Sequence, residues 1–119
     1  MYIKVLKSKL HGATVTDARL DYMGSLAIDS SLMAAAEIAP YECVMVADLD
    51  NGNRLQTYVV PAPAGSGDIV VLGAAAHLIK RGDTVIIFGF GYYDRDELEG
   101  IEPKVIILDE KNRIKARKP

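Results

Sequence analysis

The chain has 119 residues, half of them hydrophobic and a quarter charged. That balance describes one globular domain and excludes a disordered segment. A formal net charge of −2 argues against a nucleic-acid partner, which needs a basic excess. Residues 2–6 read as a first strand, and residues 13–16, rich in β-branched side chains, as a second. Residues 26–28 are a brief third. Asp29 or Ser30 then caps a short helix through Glu37, and Pro40 ends it. Cys43, the one cysteine, excludes an internal disulfide, and its apolar neighbours Val44-Met45-Val46 predict a buried thiol.

Residues 44–49 and 55–60 flank Asp50-Asn51-Gly52-Asn53, a strong hairpin signal because Asn-Gly accepts positive φ. Residues 61–67, rich in proline and glycine, form a loop. Residues 69–72 are a strand, and Gly73 to Leu78 a short helical turn that closes at Arg81-Gly82. The continuous apolar run 84–90 is the most buried strand. Residues 92–102 make an acidic loop and 104–108 a last strand. The basic tail Lys111, Arg113, Lys115, Arg117, Lys118 is expected to be solvated and partly frayed. Many short strands with one or two short helices predict a mainly β fold, a closed barrel. A domain this small buries only roughly 60–70% of its unfolded surface, so association would help its stability. No window approaches the ~20 apolar residues of a membrane span. The N-terminus lacks the apolar run of a signal peptide, so a cytoplasmic location is expected.

The chemistry centres on Gly24-Ser25. A serine hydroxyl can attack the carbonyl before it, converting the amide to an ester. Elimination across the serine Cα–Cβ bond then releases the upstream chain, and hydrolysis leaves a pyruvoyl group and ammonia. Glycine adds no Cβ at the attacked carbonyl and permits strained φ/ψ. By itself Gly-Ser is an ordinary turn dipeptide. Its company is more specific: Lys9-Leu10-His11, residues 18–25, Ile28-Asp29, Asn51-Gly52, Arg54, Thr57-Tyr58, Gly73-Ala74-Ala75-Ala76, Gly82-Asp83 and Pro103-Lys104-Val105. In this register the chain resembles the pyruvoyl-dependent aspartate 1-decarboxylases from Lys4 to about Asn112.

The resemblance implies a double-psi β-barrel and self-cleavage into residues 1–24 and 25–119, with Ser25 becoming the pyruvoyl cofactor. It implies roles for Thr57, as donor to the Gly24 carbonyl, and for His11 in moving protons during processing. Lys9 and Arg54 would hold the carboxylates of L-aspartate, Arg54 through its bidentate fork. Tyr58 would be the proton donor, and Tyr22 would shape the pocket. The backbone of Gly73, Ala74 and Ala75 would lie close to the cofactor. The product would be β-alanine, for pantothenate and coenzyme A, made by a homotetramer with sites between subunits. The terminal ketone would serve as the electron sink that pyridoxal phosphate is elsewhere.

Three positions depart from the family. Leu72 stands where asparagine is common before the Gly-Ala-Ala-Ala run, and leucine cannot hydrogen-bond. Gly12 replaces an arginine, and the Ala64-Gly65-Ser66-Gly67 loop lacks the usual charges. These losses leave open an unprocessed or silent barrel acting as a binding module, and cleavage that depends on a helper. A pyruvoyl decarboxylase of another acidic amino acid, such as glutamate, is a further alternative. Metal chemistry has little support, since His11 and His77 show no ligand spacing. Gly89-Phe90-Gly91 lacks the third glycine of a dinucleotide fingerprint, and no Gly-x-Ser-x-Gly elbow exists.

Overall fold

Strand alternation decides which side chains enter the core, and pairing on both sides decides how far each strand runs. The computed structural model describes all 119 residues. Its strands are β1 (Tyr2–Thr14), β2 (Asp17–Arg19), β3 (Ser25–Asp29), β4 (Cys43–Asp48), β5 (Arg54–Ala62), β6 (Ile69–Leu72), β7 (Thr84–Asp94), β8 (Lys104–Leu108) and β9 (Ile114–Lys118). They lie in the order β2-β6-β3-β5-β4-β7-β1-β8-β9. One helix, α1 (Ser30–Ala35), and two 3-10 turns, Gly73–His77 and Arg95–Glu97, complete the chain. Three pairings are parallel, β1 with β8, β2 with β6 and β3 with β5; the others are antiparallel. This mixed sheet curls around a cluster of 20 buried apolar residues, among them Leu10, Leu26, Ile28, Val46, Val59, Ile69, Val71, Ile79 and Ile87. The architecture is mainly β, a double-psi barrel with short helices.

Asn112 fastens the ends of the strand order. It sits buried in the β8–β9 turn with φ 60°, a left-handed conformation that asparagine tolerates. Its side chain accepts from Thr14 N at 2.7 Å and donates to the carbonyls of Thr14 (2.9 Å) and Gly67 (2.7 Å). Alongside it, Val15 N donates to Asp83 O and Thr16 N to Ile69 O.

Several elements differ from the sequence expectation. The first two expected strands are largely one, because β1 pairs with β7 and over residues 8–11 also with β8. Register shifts between Leu6 and Ser8 and between His11 and Ala13 let it bend, and Gly12, at φ 79°, absorbs the second. β7 runs on through Asp94, so the expected acidic loop begins as strand. The basic tail is strand β9, antiparallel to β8 and well solvated. The expectation of a buried Cys43 is wrong: the thiol is exposed, since strand alternation sends Val44 and Val46 inward and Cys43 out. The run 84–90 likewise buries only Val85, Ile87 and Gly89, leaving Ile86, Phe88 and Phe90 half-buried on the outer face.

α1 is held by its cap more than by its length. Asp29 is 1% exposed, and its carboxylate accepts from Ser31 N and Oγ, from Gly65 N and from Gly67 N at 2.6–3.0 Å. Burial alone would raise this carboxyl, but the donors of Ser31, Gly67 and Gly65 outweigh it and hold it below the usual range. A depressed folded-state pKa stabilises the fold above the unfolded value and loses that contribution as pH falls through the folded one. Asp29→Asn, which turns an N–H toward existing donors, should cost about 2 kcal/mol at pH 7. Urea unfolding should show the gap between the two proteins closing as pH drops below about 4. A constant gap would assign the loss to packing instead.

Candidate active site

β3 fixes the Gly24-Ser25 bond between two strands. On one side Leu26 is in parallel register with Val59 of β5; on the other, Ser25 pairs antiparallel with Leu72 of β6. The start of β3 is therefore flanked by Thr57-Tyr58 and by Leu72-Gly73. Ser25 is 5% exposed, whereas Tyr22, Met23 and Gly24 leave the sheet and are exposed. Against this point lies an open cavity of about 400 Å³ lined by Gly24, Leu55, Gln56, Thr57, Tyr58, Ala74, Ala75 and Leu78.

Two glycines at this junction do different work. Gly73 has φ 79°, and a Cβ there would fall 2.6 Å from Gly24 Cα and 2.8 Å from Tyr22 O. Its bare Cα lets the Tyr22–Gly24 backbone lie against the turn. Gly24 has no positive φ, and a Cβ on it would meet only Leu72 O, at 3.9 Å. The left-handed backbone at this junction, which glycine adopts without cost, is that of Gly73.

Of the residues picked out in the sequence, Gly24, Thr57, Tyr58, Ala74 and Ala75 line the cavity, and Ser25 and Gly73 adjoin it. Arg54 stands at the start of β5 and is exposed, with Nη1 4.0 Å from Met45 Sδ. It is not in an ion pair; the chain's salt bridges are Lys7–Glu42, Arg19–Asp17 and Lys104–Glu37. The Tyr58 ring lies 6.5 Å from that of Tyr41, centroid to centroid. Tyr22 is half-exposed, with the Arg19 guanidinium 5.6 Å from its ring centroid.

Lys9 and His11 are not brought to this cavity. Both lie on β1, which β5, β4 and β7 separate from β3 along the sheet. They face outward, opposite to buried Leu10. Register places Lys9 in a cross-strand row with Gln56, Met45, Phe88 and Val105, and His11 in the next row with Arg54, Ala47, Ile86 and Ile107. This outer face thus carries three cationic or titratable side chains set among apolar ones.

Residue spacing did not reveal the remaining lining residues Leu55, Gln56 and Leu78. Leu78 is positioned by Asn51 and Asn53, whose side-chain amides both donate to its carbonyl at 3.0 Å. The Asp50-Asn51-Gly52-Asn53 turn that announces the hairpin thus also anchors the opposite wall. The chain's departure Leu72 pairs with Ser25 and, in parallel register, with Arg19.

A profile of the aspartate decarboxylase family matches residues 1–115. The chain belongs to the aspartate decarboxylase family. It is 53% identical over 118 residues to the aspartate 1-decarboxylase of Moorella thermoacetica, covering 99% of this chain and 92% of that one. It is 52% identical over 114 residues to the enzyme of that name from Acetivibrio thermocellus, covering 96% and 90%. A relative of the same name in Thermosipho africanus is 54% identical over 110 residues, 92% and 90% of the two chains. No helix is long and apolar enough to cross a membrane.

Gly73→Ala should cost roughly 2–3 kcal/mol, from left-handed backbone strain plus the clash with Gly24. Gly24→Ala should cost under about 1 kcal/mol. Urea midpoints of the two variants, with limited proteolysis of the 20–24 segment, check the contrast; equal losses would contradict the geometry.

Proposed function

We propose that this chain is a pyruvoyl-dependent aspartate 1-decarboxylase made as a proenzyme, converting L-aspartate to β-alanine and CO2. The observation that carries the reading is the position of the Gly24-Ser25 bond, at a cavity lined by Thr57, Tyr58, Ala74 and Ala75. Cleavage there leaves residues 1–24 and 25–119. The serine hydroxyl is the nucleophile of the acyl shift, and Thr57 is within the same cavity wall to donate to the Gly24 carbonyl as its charge develops. His11 takes part as proton carrier when a second copy brings it near.

A pyruvoyl group at position 25 fits its surroundings. Gly73 offers a backbone without a Cβ against Gly24, just upstream of the cut bond, and the wall contains small side chains. Once formed, the ketone supplies the electron sink for departure of the substrate's α-carboxylate. The chain's own residues do the rest. Arg54, free of any ion pair, binds a carboxylate through its planar fork. Leu55, Leu78 and the alanines give the reacting carbon an apolar wall. The Tyr58 phenol delivers the proton that replaces CO2.

Lys9 supplies the second positive charge. Its distance from the cavity along the sheet supports a site completed by the outer face of a neighbouring copy, within a homotetramer. The apolar residues of that face, Met45, Ile86, Phe88, Val105 and Ile107, support the same contact. The product β-alanine would serve pantothenate and coenzyme A synthesis in the cytoplasm.

Intact-mass measurement under denaturing conditions should give two species split between Gly24 and Ser25, the larger reacting with a hydrazine. Ser25→Ala should stay whole. Tyr58→Phe should be cut normally yet lose at least about 100-fold in aspartate turnover. A wild-type chain that stays whole on prolonged warming would remove the self-processing reading, and faster turnover of glutamate would change the substrate.

Lys9→Ala and Arg54→Ala should each lose about 100-fold or more in kcat/KM. Lys9→Ala co-expressed with Ser25→Ala should recover a measurable fraction of activity, because some sites would pair an intact Lys9 with an intact Ser25 from different copies. No recovery would place Lys9 in the same chain's site as Ser25.

A further inference from the structure

At the Arg54 end of the β4–β5 hairpin, three carboxyl groups converge. Asp48 closes β4, Asp50 lies in the turn, and Asp83 immediately precedes β7. One carboxylate oxygen of each lies within 4.8 Å of the others. None of the three is in an ion pair. Lys80, the cation closest in sequence to Asp83 apart from Arg81, directs its ammonium to Ala76 O at 3.1 Å.

The group in need of a partner is Asp48. It is 2% exposed; its Oδ1 accepts from Asp50 N at 2.8 Å, while its Oδ2 has no hydrogen-bond partner. What faces this carboxyl is the carboxyl of Asp83. Asp83 Oδ2 accepts from Lys80 N at 3.0 Å and Asp50 Oδ2 from Thr84 N at 2.8 Å, which leaves each with one oxygen for another partner. A buried carboxylate oxygen without a donor is costly, and a like-charged neighbour adds to the cost. A cation removes both penalties.

We propose that Asp48, Asp50 and Asp83 form a binding site for a divalent cation of the calcium class, at the base of the hairpin that carries Arg54, Thr57 and Tyr58. All-oxygen ligands favour a hard cation over zinc or copper. Oxygens up to 4.8 Å apart suit ligand distances of about 2.3–2.6 Å, as for calcium, better than the tight shell of magnesium at about 2.0–2.1 Å. Asp50 is exposed, so water can complete the coordination. The ion would join the hairpin turn to the start of β7, adding to the Asn51 and Asn53 contacts on Leu78.

The test is calcium chloride titrated into the intact protein at pH 8 after chelator treatment, read by thermal unfolding and calorimetry. Potassium chloride at matched ionic strength is the control. A saturable rise in unfolding temperature with one site per chain is expected for calcium alone. Asp48→Asn keeps the acceptor for Asp50 N and removes a charge. It should unfold, without calcium, at the same or a higher temperature and should lose the calcium response. Asp50→Asn, on the exposed side, should bind calcium at least tenfold more weakly. The proposal falls if calcium does no more than potassium, or if Asp48→Asn responds as the wild type does. It also falls if wild-type stability drops between pH 6 and 8 and calcium fails to restore it, the behaviour of two carboxyls that only share a proton.

Discussion

Everything near the proposed scissile bond depends on β3 being hydrogen-bonded to two strands that run in opposite directions. Parallel pairing with β5 sets Leu26 beside Val59, and antiparallel pairing with β6 sets Ser25 beside Leu72. A slip of one residue against either neighbour would turn every β3 side chain to the other face. Leu26 and Ile28, at 1% and 0% exposure, resist that slip because both would leave the core. Asp29 locks the far end by capping α1 and gripping the 65–67 loop. The position of one peptide bond is thus held by apolar burial, a buried carboxylate and two ladders at once.

The sequence exposed the local devices well and the long-range ones poorly. Asn51-Gly52 marked the hairpin, Asp29 the cap, and residues 69–72 a strand with the bounds observed, because each is decided within a few residues. The continuity of β1 through Lys7-Ser8-Lys9 was hidden, since its polar residues extend only because β7 and β8 pair with them from both sides. In the basic tail only Ile114 and Ala116 alternate with charged residues, too short a pattern to announce a strand, and β8 alone supplies its partner. The apolar neighbours of Cys43 suggest burial, whereas alternation about Val44 and Val46 carries the correct answer.

The site was visible in part for the same reason. Gly24-Ser25, Thr57-Tyr58 and Gly73 to Ala75 were recognisable as a spaced set, and the fold gathers them at one cavity. Lys9 and His11 belonged to that set in sequence but lie on another stretch of sheet. Their separation reflects the alternation that buries Leu10: the side chains on either side of it must point away from their own barrel. The roles of Asn51 and Asn53 in holding Leu78 could not be read at all, because the contact spans 25 residues or more.

β1 lies in the interior of the strand order, between β7 and β8, and reaches β7 by register from Tyr2 to Thr14. A chain cut after residue 24 therefore has its smaller piece woven through the middle of the sheet rather than appended to an edge. The pieces would remain one body, yet the reaction order of assembly changes. An uncut chain folds by a unimolecular process, whereas separated pieces must meet again in solution, at a rate that falls with dilution. Maturation would then act as a ratchet: the protein folds once as a single chain, and after the cut its persistence depends on how slowly it opens.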